Sequence, residues 1–246
     1  MGRGSRYPSA VSEPGASERV VRPAWGLGAA AVAFVVGYLL AALAGGVAVA
    51  SGAGTYDTLT VTLSLIGLWF GFAGVPIVLS RTRGSGRLAE DFGLRVGGPG
   101  DVGLGIAGGL VAYALLEVYS VILRQFDHVD LGKGTDKLAG HGLGLGFVVF
   151  AMAVAVGAPI VEELFFRGLV QPALQRRVGG VAGLILTATL FGLLHVGDNP
   201  VEAALPLAVF GLVVGALAWR TGRLGPGIVA HMTFNGITVV ALALSR

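Results

Sequence analysis

Six residues in the carboxyl-terminal half of the chain carry ionisable or polar side chains within apolar surroundings, and the carboxylates and imidazoles among them can do acid–base chemistry. In chain order they are Glu162, Glu163, Arg167, His195, His231 and Asn235. A charged group at the centre of a bilayer costs about 2.5 to 3.5 kcal/mol on insertion scales, so each charged residue in an apolar run needs a physical reason. We therefore take these six as the candidate functional residues.

The first group is the run EELFFR at residues 162–167. Glu163 and Arg167 lie four residues apart with the acid first, which is the favoured order for an ion pair on a helix. Glu162 projects about 100° away on the same helix, where the sequence offers it no obvious partner. Glu162 is therefore a candidate general base. The alternative is that both acids sit at a helix end near the membrane interface.

The second group is the histidine that ends the run FGLLH. A single histidine of this kind is as consistent with packing as with chemistry. Glu162 and His195, however, each lie about 16 residues, or roughly 25 Å of helix, from the glycine pair at 179–180. In an antiparallel helical hairpin these two side chains would face each other at one level.

The third group, HMTFN, has His231 and Asn235 four residues apart and so on one face of a helix. An imidazole and an amide on one face offer hydrogen-bond donors to a developing negative charge. The alternative is a structural hydrogen bond between helices, worth about 0.6 kcal/mol on average in membranes.

The elements that carry these residues are apolar on all sides. The chain is 54% hydrophobic and 13% charged. A soluble domain is roughly a quarter charged, so this composition excludes a water-soluble globule. Seven runs with few or no charges approach the roughly 20 residues of a membrane-spanning helix. They are residues 25–56, 58–80, 102–123, 142–161, 178–197, 203–219 and 224–245. We predict an all-α, polytopic transmembrane helix bundle of about seven spans.

The polar segments predict the organisation around these spans. Residues 1–22 are rich in Gly, Ser, Pro and Arg and should form a flexible basic tail. Residues 23–140 should form the amino-terminal transmembrane helices, and residues 141–246 hold the candidate site. Glycines at 103–109 and 211–215 should permit close helix approach. Pro159 and Pro172 predict a break in their helix, because an interior proline removes a helical hydrogen bond.

Loop charges predict the orientation, because lysine and arginine concentrate on the cytoplasmic side. With Arg167 set aside, alternating segments hold twelve basic residues on one side and four on the other. This places the amino terminus in the cytoplasm and the carboxyl terminus outside. Arginine outnumbers lysine 15 to 2, a bias typical of GC-rich bacteria, so we expect a bacterial plasma membrane. A net charge of +3, spread between apolar runs, argues against nucleic acid.

Together, the three groups resemble the motifs EExxxR, FxxxH and HxxxN of the CPBP family, the CAAX-protease and bacteriocin-processing intramembrane peptidases. All three motifs are complete, in order and on separate apolar runs between residues 142 and 245. The resemblance implies that residues 141–246 form a CPBP-like catalytic transmembrane core. It also implies an endopeptidase that acts on a membrane-associated peptide or protein among membrane lipids.

The resemblance further implies roles for the six residues. Glu162 would be the general base and His195 would help to orient the water. His231 and Asn235 would stabilise the oxyanion. Glu163 and Arg167 would form the structural pair that fixes the first motif.

Two questions stay open from the sequence. A Glu, His, His set can bind zinc, but the chain has no HExxH helix, so we favour a mechanism without a cofactor and keep zinc as the alternative. A catalytically silent scaffold or immunity-type protein is a second possible function. A small proton-coupled carrier, with Glu117, Glu162 and His195 as its relay, is a third. We expect Glu117, which lies outside the resembling region, to be dispensable for catalysis.

Overall fold

The computed structural model describes residues 25–126, 131, 136–137, 139, 143–196 and 200–245. Regular structure in this part of the chain is helical, which confirms the all-α prediction. The predicted tail at 1–22 and the predicted boundary at 140–141 lie outside the described residues. We number the helices α1 Leu27–Ala50, α2 Thr58–Phe72, α3 Gly74–Arg83, α4 Leu88–Asp91, α5 Pro99–Phe126, α6 Leu145–Met152, α7 Ala158–Phe165, α8 Gln171–Val178, α9 Gly180–Leu193, α10 Ala204–Thr221 and α11 Gly225–Leu244.

The outer surface of these helices is apolar. Leu39 and Phe70, for example, are each 65% exposed. Such exposure of large apolar side chains is costly in water and favourable in lipid. Among the described residues, six helical stretches are long and apolar enough to cross a membrane. They are Leu27–Ala50, Thr58–Arg83, Pro99–Gln125, Leu145–Val178, Val201–Thr221 and Gly225–Leu244. The chain is thus a polytopic membrane protein, as predicted.

The seventh apolar helix, α9, is shorter than its apolar run suggested. The run extends over 178–197, but α9 has 14 residues and ends at Leu193. At the usual helical rise it is only about 21 Å long. The hydrocarbon core of a bilayer is roughly 30 Å thick, and α9, which is shorter than the other six spans, is the short member of a bundle of about seven. The helix begins after Gly179, whose φ of +93° makes the tight turn from α8. Because α9 ends early, His195 lies in the turn just beyond it.

The helix that carries the first motif continues past both prolines. It contains two π-helical segments, Ala153–Gly157 and Phe166–Val170, and each is followed by an α-helix with proline in its first turn. The wider π turn accommodates a residue that cannot donate a backbone N–H, so the predicted break is replaced by two local changes of helical pitch.

Glycines let α5 and α11 pack closely, as the glycine pattern predicted. A Cβ added at Gly105 would lie 2.5 Å from the Val229 side chain, and one at Gly109 would lie 2.5 Å from the Ala230 carbonyl oxygen. Both contacts are far below van der Waals distance, so only glycine fits there. This crossing sets the position of α11 beside His231.

The segment after α4 anchors the amino-terminal end of α11. Leu224 donates its N–H to the Gly93 carbonyl, and Arg223 forms an ion pair with Asp101 at 2.6 Å. At the end of α4, burial alone would raise the pKa of Asp91. Hydrogen bonds from Ser80, Ser85 and Gly86 outweigh burial, so the pKa of Asp91 lies below its ordinary value.

Candidate active site

The two neighbouring acids of α7 have different surroundings. The side chain of Glu163 is fully buried, and its Oε1 accepts hydrogen bonds from Arg167 Nη1 at 3.1 Å and from His231 Nδ1 at 3.0 Å. The side chain of Glu162 is 13% exposed and reaches a cavity. The sequence spacing predicted that Glu163 is paired and that Glu162 is not. In the structure, Glu163 is bonded to two protein donors, and Glu162 reaches the cavity.

Arg167 binds more than its acid. The predicted pair with Glu163 is confirmed, and Nη2 also donates to the Gly211 carbonyl at 3.1 Å. The guanidinium lies 4.8 Å from the ring centroid of Phe191. That distance is within range of a cation–π contact. Arg167 therefore ties α7 to both α9 and α10.

Gln171 extends this attachment and was not singled out from the sequence. It lies four residues after Arg167 and donates Nε2 to the Gly215 carbonyl at 3.0 Å. Arg167 and Gln171, four residues apart on one helix, thus donate to the carbonyls of two α10 glycines that are also four residues apart. The signal in the sequence was the continued spacing of four after the first motif, matched by the glycines at 211 and 215.

His231 connects the first motif with the third. Besides its bond to Glu163, its Nε2 lies 4.0 Å from Glu162 Oε2, so the imidazole lies between the two acids. The sequence predicted a donor on this helix face but did not predict the contact with Glu163. Phe210, 4.8 Å from the imidazole between ring centroids, packs against it.

Asn235 donates Nδ2 to the Val154 carbonyl at 2.8 Å. The π turn explains why that carbonyl needs a donor. The N–H of Ala158 bonds to the Ala153 carbonyl, and Pro159 has no N–H, so Val154 has no donor within its own helix. One hydrogen of the Asn235 amide thus fixes α11 to the helix of the first motif, and the residue also lines the cavity.

His195 is oriented by its own turn. Its Nδ1 lies 2.7 Å from the Phe191 carbonyl oxygen. Because a carbonyl only accepts, Nδ1 must be the protonated nitrogen. Nε2 is then the acceptor of the neutral ring. The FxxxH spacing thus has a direct function, since the residue four positions earlier supplies the carbonyl that selects the tautomer.

One cavity of about 990 Å³ joins the candidates. Four of the six predicted residues line it, namely Glu162, His195, His231 and Asn235. Glu163 and Arg167 lie behind its wall, where they hold the others. Tyr113, Glu117, Ser120 and Arg124 of α5 also line the cavity and were not predicted to do so, except that Glu117 was considered for a relay.

Two features bear on what this cavity can bind. Glu162 Oε2 is buried and has no hydrogen-bond donor among the described residues, whereas buried carboxylate oxygens are normally hydrogen-bonded. Within the described part of the chain, this oxygen is therefore open to a donor from solvent or a ligand. Across the same described part of the chain, no three His, Asp or Glu side chains are arranged to hold a metal ion.

Comparison with known proteins agrees with the motifs. Residues 144–237 match the family model described as Type II CAAX prenyl endopeptidase Rce1-like. No curated protein and no solved structure matches the chain. The matched residues begin just before α6, end within α11 and include all six candidates. The chain is therefore a polytopic membrane protein in which residues 144–237 match the Rce1-like family model.

Proposed function

We propose that this protein is an intramembrane endopeptidase that hydrolyses a peptide bond in or beside the membrane with a water activated by Glu162 and His195. One observation carries the proposal. Glu162, His195, His231 and Asn235, from three separate motifs, line one cavity inside a bundle of membrane-type helices. The match of this region to a protease family supports the same reaction class.

In the proposed reaction, the Glu162 carboxylate takes a proton from a water while the water oxygen attacks the carbonyl carbon of the substrate. His195 Nε2 accepts a hydrogen bond from the same water and orients it. The tetrahedral intermediate then collapses, the C–N bond breaks, and the proton held by Glu162 passes to the leaving nitrogen. The unsatisfied Glu162 oxygen, which needs a donor, supports this assignment.

The proposed oxyanion donors are His231 and Asn235. For His231 to donate from Nε2 it must carry a second proton, because its Nδ1–H is already given to Glu163. Glu163 lies on the Nδ1 side of the ring at 3.0 Å, so Nε2 faces Glu162 at 4.0 Å. Asn235 donates one amide hydrogen to the Val154 carbonyl, and its second amide hydrogen can be donated to the substrate.

Glu163 and Arg167 act as positioning residues in this mechanism. Glu163 holds the His231 ring, and Arg167 holds Glu163 and the backbone of α10. Neither lines the cavity, so we assign neither a contact with substrate.

We propose that no metal takes part. Both histidines direct Nδ1 to protein acceptors, as metal-bound histidines also do, but the described side chains of Glu162, His195 and His231 are not arranged as a group that could hold a metal ion. We therefore expect activity to survive a chelator. Activity that is lost on chelation and restored by zinc would assign these three residues as ligands instead.

We further propose that the protein lies in a bacterial plasma membrane, with its amino terminus in the cytoplasm and its carboxyl terminus outside. The basic-residue bias supports this orientation, and membrane lipids and a membrane-associated peptide or protein are then its partners. A carboxyl-terminal alkaline phosphatase fusion should be active outside the cytoplasm. Activity of only a cytoplasmic reporter at this terminus would reverse the orientation.

One observation favours the carrier as second candidate, since Glu117 lines the same cavity as Glu162 and His195. A carrier would move protons without cutting peptides. If the protein is a peptidase, vesicles that contain it should show no proton uptake when a peptide gradient is applied. Proton uptake under that gradient would favour the carrier.

The experiment that tests the proposal compares membranes of cells producing the wild type, Glu162→Gln or Glu202→Gln. Glu202→Gln is the matched control, because it makes the same change at an acid that does not line the cavity. Quantitative proteomics of new peptide termini should find cleavage products in wild type and control that are absent from Glu162→Gln. An identical set of termini in all three would contradict the peptidase proposal.

A further inference from the structure

The cavity has a second polar wall that the proposed chemistry does not use. It is formed by α5, and it consists of Tyr113, Glu117, Ser120 and Arg124, which we call the α5 stripe. Their spacing of four, three and four residues puts all four on one face of the helix. The remaining faces of α5 are largely apolar and exposed, as Val111, Val118 and Val121 illustrate.

Such a stripe is expensive in a membrane helix unless it faces water or a polar ligand. Two of its members are prepared for a ligand. Glu117 has an exposed carboxylate with free acceptor positions, and the Tyr113 hydroxyl lies beside it. The hydroxyl of Ser120 is buried and has no hydrogen-bond partner among the described residues.

The behaviour of Ser120 contrasts with that of the other hydroxyl residues on the apolar helices. Thr233 and Thr238 of α11 each donate to the carbonyl four residues earlier, the usual solution for a hydroxyl in lipid. Ser120 makes no such bond, so its hydroxyl stays available to whatever occupies the cavity.

The charges of the cavity indicate the ligand's sign. Among the described residues that line it, three carry carboxyl groups and one a guanidinium. They are Glu117, Asp136, Glu162 and Arg124. Because Glu162 is assigned to the reacting water, Glu117 is the carboxylate on the opposite wall that can meet a substrate side chain. With the second proton that the mechanism places on His231, these three carboxyl groups still outnumber two cations, and an excess of negative charge in a cavity with low-dielectric walls favours a cationic group.

We propose that Glu117 is a specificity-determining residue, which selects peptide substrates with a lysine or arginine at one fixed distance from the scissile bond. The substrate ammonium or guanidinium binds the Glu117 carboxylate beside the Tyr113 hydroxyl, while Ser120 hydrogen-bonds to the substrate backbone. This specificity rests on the proposed peptidase function. It gives Glu117 a role in substrate choice and none in the chemical step.

The test uses synthetic apolar decapeptides in which one position at a time carries Lys, Gln or Glu. Cleavage by the purified full-length protein in detergent is measured as kcat/KM for each peptide. A hydrogen bond to a charged partner corresponds to a preference of at least about tenfold, so the wild type should cleave the Lys peptide about tenfold faster than the Gln peptide at one position. Glu117→Gln should bring that ratio close to one.

Charge reversal provides a result that a purely structural role would not give. Glu117→Lys should make the Glu peptide the preferred one at the same position, and the control Glu202→Gln should keep the wild-type preference. A Lys to Gln ratio that is the same in wild type and both Glu117 variants would overturn this inference and leave the peptidase function standing. Failure of the wild type to cleave any peptide faster than Glu162→Gln would contradict the peptidase function, and this specificity with it.

Discussion

His231 Nδ1 lies 3.0 Å from Glu163 Oε1, although the two residues are 68 positions apart in the chain. The contact joins the third motif to the acid that does not line the cavity. On the far side of the same ring, Nε2 faces the other acid, Glu162, at 4.0 Å. The proposed base and the proposed oxyanion donor are therefore held in register by one buried carboxylate.

Removal of Arg167 should destabilise the protein as well as inactivate it. Arg167→Ala leaves Glu163 as a buried acid without its cation, and breaking such a pair costs about 3 to 5 kcal/mol in soluble proteins. Thermal unfolding in detergent should show the loss, with Arg177→Ala, an exposed arginine of α8, as control. The double variant Glu163→Gln/Arg167→Ala should recover part of the stability. Equal melting temperatures for Arg167→Ala and wild type would contradict the role of the pair.

The bond between Asn235 and Val154 should depend on Pro159. Asn235→Ala leaves the Val154 carbonyl without a donor, a loss of about 1 to 3 kcal/mol. Pro159→Ala supplies a backbone N–H close to that carbonyl, so Asn235→Ala should cost less in that background. A double-mutant cycle of unfolding free energies measures this coupling, and strictly additive effects would refute the explanation.

The close contact of α5 with α11 should control the position of His231. Gly109→Ala puts a methyl group 2.5 Å from the Ala230 carbonyl oxygen, so α11 must shift beside His231. We expect activity to fall about tenfold or more, because small misplacements of catalytic groups are costly. Gly103→Ala is the matched control on the same helix, with no atom within 4 Å of the new methyl group. Similar cleavage rates for the two variants would show that this crossing does not position the site.

Acid should remove the stabilisation contributed by Asp91. Its pKa is lowered by folding. Its contribution is therefore complete above the unfolded value of about 3.9 and is lost as the pH falls through the lower folded value. We expect Asp91→Asn to melt below wild type at pH 6, and the gap to shrink below about pH 4. Glu90→Gln serves as the control. A gap that grows with acidification would mean that the pKa is raised instead.

The sequence was sufficient for features that depend on local spacing. Apolar runs predicted the helical bundle, and a spacing of four predicted the pair of Glu163 with Arg167. The end of α9 was not predictable in this way, because the apolar run continues past Leu193 and hydrophobicity does not mark where a helix ends.

Features that depend on three-dimensional register were beyond the sequence. The contact of His231 with Glu163 requires the crossing of two helices, and the bond from Asn235 to Val154 requires a π turn that only the backbone reveals. The α5 stripe was visible as a spacing pattern, but Glu117 drew attention alone, because hydroxyl residues are common in membrane helices and carry little signal individually.

The central claim, that Glu162 activates the hydrolytic water, is tested most directly by the cleavage rate of Glu162→Gln beside wild type on the same peptides and in the same detergent. The amide cannot take the proton, so we expect the rate to fall about 100-fold or more while the melting temperature stays close to that of wild type. A Glu162→Gln protein that is folded and cleaves at the wild-type rate would contradict the account.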